Sequence, residues 1–394
     1  MIIRYPSYYD SFSCIADRCE DTCCAGWEID IDDESYQYYM TIEGELGERL
    51  RSSIKEYQGD DEDVYEIHGF ILKEHKRCPF LDGKGLCDLY RELGERALCE
   101  VCTDTPRNFL EYGGEREIAL SAACPEAGRL IYGEEGRITF VKRETDEEFP
   151  WEESGEERHL ARWIRSARDK AICILQNREL PVEKRILHYL SFAERVQGVL
   201  NENAPERIEE ISWEEYRGDV AGQTTEERQV SAGRQYEMFL KRMITFSGLD
   251  SVSEEWEEAL RQLQHIFVER QDGAVVYQEA LRWLGDELSG QQREYEYEHL
   301  MVYYVFLCQA RCVDDYDFIG RAKLAVVSFL MVRDLDAARF VLQGSYEKAD
   351  RVDVARLYAK EVEHSENNLE YLADEFMFEE VYTTDCLRQI LMRS

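Results

Sequence analysis

With 394 residues, 44% hydrophobic and 33% charged, the chain is long enough for two or three domains with their own cores and too apolar for disorder. A net charge of −36 argues against a basic face for DNA or RNA phosphates and suits a basic partner, a lysine-bearing substrate or plain solubility. The longest uninterrupted apolar run, Leu300–Cys308, falls well short of the ~20 residues a membrane helix needs, and "MIIRYPSYYD" lacks the charged and long apolar regions of a secretory signal. The expected protein is cytoplasmic, engaging neither membrane nor nucleic acid.

In chain order, "WEIDID" (Trp27–Asp32) alternates like a short strand, and "DDESYQYYMTI" then starts a helix. "VYEIHGFILKE" (Val64–Glu74) and "RITFVKR" (Arg137–Arg143) read as further strands, and the glycines of "LDGKGLC" and "EYGGERE" mark tight turns. An acidic connector, Glu144–Glu157, leads into helical periodicity at Leu160, Trp163, Ile164, Ala167 and Ala171, and again from Ile186 to Leu200. Ser251 with Glu254 has the form of a capping box. Helices are predicted near Tyr295–Cys312, Phe318–Val332 and Val352–Phe376, with no fixed-period repeat. The fold class expected is mainly α: an irregular Cys-rich module with a few short strands over residues 1–145, then a helical domain over 146–394.

Nine of the thirteen cysteines lie in the first 124 residues, spaced Cys14-x4-Cys19-x3-Cys23-Cys24 and Cys78-x8-Cys87-x11-Cys99-x2-Cys102-x21-Cys124. Disulfides rarely persist in a reducing compartment, so a dense cysteine module without a secretory signal points to metal. With only His68 and His75 nearby, an all-thiolate site is favoured, either zinc or an iron–sulfur cluster. The sequence does not read as a paired-knuckle zinc ribbon, since only Cys99-x2-Cys102 has that form. The radical S-adenosylmethionine triplet Cys-x3-Cys-x2-Cys also fails, because Cys24 follows Cys23 directly. Cys173, Cys308, Cys312 and Cys386 are expected as packed core residues. No G-x-G-x-G loop follows a strand, so the sequence gives no support to a Rossmann-like methyl-donor site.

The run "FSCIADRCEDTCCAGWEIDID" (Phe12–Asp32) resembles the opening of the flagellin lysine-N-methylases, which share this motif with a broader group of zinc- or iron-chelating proteins. The likeness continues through "CPFLDGKGLC", "CTDTPR" (Cys102–Arg107), "LSAACPEAGRL" (Leu120–Leu130) and "YAKEVEHSENNLEYL" (Tyr358–Leu372), and so spans nearly the whole chain. The chelating group shares only the cysteine part, so the C-terminal match favours the methylase. Eight cysteines fall on the family's pattern: Cys14, Cys19, Cys23, Cys24, Cys78, Cys87, Cys102 and Cys124; Cys99 is extra. The resemblance implies a [4Fe–4S] cluster, with zinc as the alternative metal, S-adenosylmethionine as methyl donor and flagellin lysines as acceptors. Eight thiols exceed the four that one cluster needs, which leaves a second metal, structural thiols or thiols in the transfer itself.

Methyl transfer to lysine needs a neutral amine, near-linear approach and exclusion of water. On matched positions the candidate catalytic groups are Glu126, Tyr358, Glu363 and His364. Each has a structural alternative: a helix-start residue for Glu126, core packing for Tyr358, a solvated helix face for Glu363 and His364. Arg107 is expected either to pair with a carboxylate or to support the chain around Cys102. The competing functions are a non-catalytic zinc- or iron-binding module that holds a basic protein, and a purely structural zinc protein.

Overall fold

The computed structural model describes residues 1–58, 66–150, 152–218 and 232–391. Along the chain lie β1 (Ile2–Pro6), β2 (Asp30–Ile31), α1 (Asp33–Thr41), α2 (Gly44–Ser52), β3 (Ile54–Gln58), β4 (Glu66–Phe70), α3 (Asp88–Leu93), α4 (Glu100–Asp104), β5 (Arg107–Tyr112), β6 (Glu115–Leu120), α5 (Pro125–Gly133) and β7 (Phe140–Glu144). The remainder is helical: α6 (Gly155–Leu175), α7 (Val182–Asn201), α8 (Ala232–Ser247), α9 (Glu254–Leu263), α10 (Gly273–Gly290), α11 (Tyr295–Cys308), α12 (Cys312–Asp315), α13 (Phe318–Gln343), α14 (Lys348–Val362), α15 (Glu366–Phe378) and α16 (Thr384–Leu391). The mainly α class with a few N-terminal strands is therefore observed. Among the described residues no helix is long and apolar enough to cross a membrane.

The strands form two small sheets. One has the order β5-β6-β1-β7, with β1 parallel to β6 (Ile2 opposite Glu115) and antiparallel to β7 (Pro6 opposite Phe140). Its β5–β6 hairpin turns at Gly113 and Gly114, whose positive φ values of 61° and 73° carry no steric cost without a Cβ. Buried charge holds this sheet to α6: Glu117 on β6 takes both guanidinium arms of Arg168, one at 2.6 Å, while Arg4 on β1 reaches Asp169 at 2.7 Å. The second sheet, β2-β4-β3, carries a small core of its own. "WEIDID" pairs only at Asp30–Ile31, and the predicted strand from Val64 begins at Glu66, since Val64 and Tyr65 lie outside the described residues.

That small core draws on residues from Cys24 to Cys102 and is built on Tyr39, Leu50, Phe70, Phe80 and Leu89. Ala122, Ala123, Ile131, Tyr132 and Ile138 belong instead to the large core shared with the helices. Within that core α11 is buried over Tyr295–Phe306; its apolar run from Leu300 anticipates this, while Glu296, Glu298 and His299 are buried on polar partners. Several charged residues inside are paired: Arg351 bridges Asp336 (2.6 Å) and Glu296 (3.3 Å), and Arg242 takes Asp334.

Three local expectations change. The cap of α9 is Ser253, whose side chain accepts from the Trp256 amide, and Ser251 instead bonds the Ser253 carbonyl. Of the four later cysteines, Cys312 and Cys386 are buried and Cys308 half-buried, but Cys173 is exposed on α6. The stretch predicted as one helix near Val352–Phe376 breaks at Glu363-His364-Ser365, where Ser365 starts α15 by accepting from the Asn368 amide at 3.2 Å.

Candidate functional site

The break between α14 and α15 sets a carboxylate in a polar knot. Glu363 Oε2 accepts from the Ser121 hydroxyl (3.0 Å) and from the Tyr303 hydroxyl (2.7 Å). Ser121 Oγ is also 3.0 Å from His364 Nε2, and the Ala122 amide donates to Tyr303 (2.9 Å). Ser121 has one proton. If it goes to Glu363, His364 must carry its proton on Nε2 and donate to Ser121, giving a relay His364→Ser121→Glu363. Burial makes the two ring and carboxyl groups consistent with this. It lifts Glu363 to about 6 and, aided by the Lys360 charge, lowers His364 to about 4, so near neutrality the carboxylate is ionised and the imidazole neutral.

The second carboxylate oxygen, Glu363 Oε1, is buried with no donor in good hydrogen-bond geometry, as is the Tyr132 hydroxyl, and the Tyr304 hydroxyl is the further group that interacts with this carboxyl. Tyr8, Tyr132, Tyr303 and Tyr304 all feel the Glu363 charge, which with burial pushes their hydroxyls up. An anionic oxygen ringed by tyrosines but without a well-placed donor is costly to leave empty-handed and suits a cationic or N–H-bearing ligand. Two shallow hollows elsewhere, over β5 and β6 beside Arg165 and Arg311, do not reach it.

The cysteine loop is strapped to this knot. Asp21, between Cys19 and Cys23, receives Lys360 Nζ (2.9 Å) and Arg356 Nη1 (2.6 Å) from α14. Trp27 stacks on His364 with ring centroids 4.6 Å apart, and Lys360 lies 5.7 Å from the Trp27 ring. Gly26 permits the approach: its φ is 108°, and a Cβ there would stand 2.9 Å from Lys360 Cε.

The thiols sort into two neighbourhoods. Cys24, Cys78, Cys87, Cys99 and Cys102 all pack in the small core, where the Cys78 amide donates to the Cys24 carbonyl at 2.8 Å and Leu81 bridges Cys87. Cys14, Cys19, Cys23 and Cys124 lie outside it. Cys14 and Cys124 are within electrostatic reach of Cys23, and Cys14 and Cys19 of Cys124. The Glu20–Arg129 ion pair fastens this part of the loop to α5, whose N-cap is Cys124. Burial raises Cys78 to about 12, so without a cation it is a neutral thiol. Among the described residues no three His, Cys, Asp or Glu side chains already surround a point that could hold a metal ion. The donors nonetheless match thiolate-metal chemistry, and His68 is occupied by a stack on Tyr36. Any metal has to draw the thiols together.

Of the four predicted catalytic groups, the structure brings Glu363 and His364 together. They sit at a helix break rather than on a solvated face. Tyr358 is fully buried, its hydroxyl donating to Ser328 (2.9 Å) amid Phe246, Trp256 and Tyr304. Glu126, in the first turn of α5, pairs with Arg129 at 2.9 Å. Arg107 donates to the Tyr9 hydroxyl (3.0 Å) and lies over the Tyr9 and Phe12 rings. Sequence reasoning missed Ser121, Tyr303, Asp21 and Trp27; Ser121, Asp21 and Trp27 have no local signal beyond nearby cysteines, and Tyr303 is hidden within the apolar run from Leu300.

A family model described as the FliB lysine N-methylase C-terminal domain matches residues 168–388, more than half of the chain. The chain belongs to this family. Among individual relatives of this FliB-family chain, lysine-N-methylases of Salmonella typhimurium and Salmonella choleraesuis are each 29% identical over 154 residues. Those alignments cover 36% of this chain and 35% of theirs, so the match spans about a third of their length. The flagellar biosynthetic protein FliU of Salmonella muenchen is 26% identical over 149 residues, covering 36% of this chain and 84% of that one. No solved structure matches.

Proposed function

We propose that the chain is a lysine N-methyltransferase acting on flagellin in the cytoplasm, with S-adenosylmethionine as donor and a cysteine-ligated [4Fe–4S] cluster. The observation that carries the reading is Glu363: a buried carboxylate with one oxygen fixed by Ser121 and Tyr303 and the other without a well-placed donor. FliB-family membership and the relatives' names support it.

In this reading the free Oε1 receives the acceptor ammonium. A lysine with an ordinary pKa of ~10.4 arrives charged and must lose a proton before its nitrogen can attack. Glu363, held at about 6 by burial, accepts that proton or holds the N–H bonds so that the lone pair points at the methyl group. The nitrogen then forms its bond to carbon as the S–CH3 bond breaks, the sulfur keeps that electron pair, and S-adenosylhomocysteine leaves. Neutral His364, through Ser121, keeps Oε2 occupied so that Oε1 alone faces the amine. The metal, when bound, supplies a rigid thiolate anchor for the loop carrying Asp21 and Trp27; no step of transfer is routed through it.

The test is methyl incorporation from labelled S-adenosylmethionine into flagellin, with mass spectrometry of the product. Wild-type protein should label lysines, and Glu363→Gln should lose at least a hundredfold in rate. Unmodified flagellin with the wild-type protein, or an undiminished rate in Glu363→Gln, would sink the proposal.

A further inference from the structure

Trp27 reaches from the small core to the helix break. Its indole packs against that core and stacks on the His364 imidazole, with ring centroids 4.6 Å apart and planes 27° from parallel. Lys360, near the end of α14, comes four residues before His364, and its ammonium stands 5.7 Å from the same indole. The backbone beside Trp27 is tied down on both sides. The Gly26 amide donates to the Lys76 carbonyl (3.1 Å), and the Ile29 carbonyl accepts from the Phe70 amide (3.0 Å). Asp21 fastens the same loop to Lys360 and Arg356. These ties are backbone bonds and ion pairs, and none of them is made by a thiol.

His364 needs such an outside constraint. Ser121 follows β6, Tyr303 lies within α11 and Glu363 caps α14, whereas His364 sits in the link before Ser365. An imidazole turns about two side-chain torsions, and only a narrow range of them leaves Nε2 at 3.0 Å from Ser121 Oγ. We infer that Trp27 is a positioning residue: its indole fixes the plane of the His364 ring, and through Ser121 it steadies Glu363 Oε2, without touching the reacting atoms. The inference rests on the role proposed above for Glu363 and adds to it. The charged groups around the imidazole are Lys360, compensated by Asp21 from the loop, and Glu363 beyond Ser121. Burial is the larger cause that holds the imidazole down at about 4, with Lys360 second, and the stacked indole supplies part of that burial. Removing the indole therefore frees the ring and admits water to it.

The experiment compares the full-length wild-type chain with Trp27→Leu and Trp27→Phe. Histidine-labelled protein is followed by nuclear magnetic resonance, and rates are read from methyl transfer by S-adenosylmethionine to flagellin. His364→Gln identifies the His364 resonances. In the wild type these should lie upfield, from the ring current of the stacked indole, and titrate at about 4. In Trp27→Leu they should lose the upfield shift and titrate closer to the ordinary 6.5, while kcat falls about three- to tenfold and KM for flagellin stays the same. Trp27→Phe keeps an aromatic face and should recover part of both; it decides the matter if Trp27→Leu does not fold. His364 resonances that do not change in Trp27→Leu, or a wild-type kcat once the ring is free, overturn the inference. A wild-type chain that transfers no methyl group counts against the proposed function instead, and the His364 titration still decides whether Trp27 holds the ring.

Discussion

Glu363→Gln separates a functional carboxylate from a packing residue because it should improve stability while removing activity. Burial lifts this carboxyl from 4.5 to about 6. For an acid whose folded value is raised, the folded state is favoured below the unfolded value, and that advantage disappears as pH rises through the folded one. At about 1.4 kcal/mol per pH unit the difference is about 2 kcal/mol, lost between roughly pH 4.5 and 6 and absent above about pH 7. Glutamine keeps an oxygen for Ser121 and Tyr303 but has no charge to bury. Urea unfolding of both proteins from pH 4 to 8 should therefore show the variant gaining up to about 2 kcal/mol on the wild type as pH rises. Glu361, lifted to about 7 by burial, titrates in both and cancels in the difference. The wild-type transfer rate should climb through about pH 6 as Glu363 ionises, while Glu363→Gln stays low across the range. A stability difference that does not change with pH would refute the buried-charge reasoning.

Arg351→Met leaves the buried Asp336 carboxylate without its cation, held only by the Tyr297 and Tyr346 hydroxyls, while Glu296 keeps Arg293, and should cost about 3–5 kcal/mol by urea unfolding. Asp21→Ala removes the anion shared by Lys360 and Arg356; because Arg356 keeps Asp353 and Glu255, the expected loss is smaller, about 1–3 kcal/mol in the same assay. Ser154→Ala breaks the capping box with Glu157 at the start of α6, and should lower stability by about 1 kcal/mol with no change in metal content.

How far the sequence reaches depends on how local the cause is. Apolar periodicity locates α6 and α7, and continuous apolarity marks α11 as buried, because those signals come from a single helix face or run. The Ser251 cap misled because two serines precede the same acidic run, and only the chain's path decides that Ser253 faces the free amides. The break after Val362 was hidden for another reason. No proline or glycine marks it, and Ser365-x-x-Asn368 is a cap signal that helical periodicity on both sides overrides. Cys173 illustrates the same limit: a cysteine on an amphipathic helix is buried or exposed according to its angular position, not its type. Resemblance singled out Glu363 and His364. Their partners Ser121 and Tyr303, 242 and 60 residues from Glu363, are found only once β6 and α11 are in place.

The helix break makes the candidate site possible. Had α14 continued, Ser365 could not cap α15; Glu363 keeps the helical backbone of α14, and the chain turns away only after it. Stopping at Val362 leaves Glu363 and His364 in a short link whose backbone is secured from both ends, by the Glu363 amide on Ala359 and by the Ser365 cap. The link is then filled from two directions: the turn after β6 supplies Ser121, and the cysteine loop supplies Trp27. Because that loop is held on α14 by Asp21, disorder among its thiols would reach His364 through one stacked ring and two ion pairs. That coupling gives the cysteines a reason to lie beside the carboxylate even if no metal touches the methyl group.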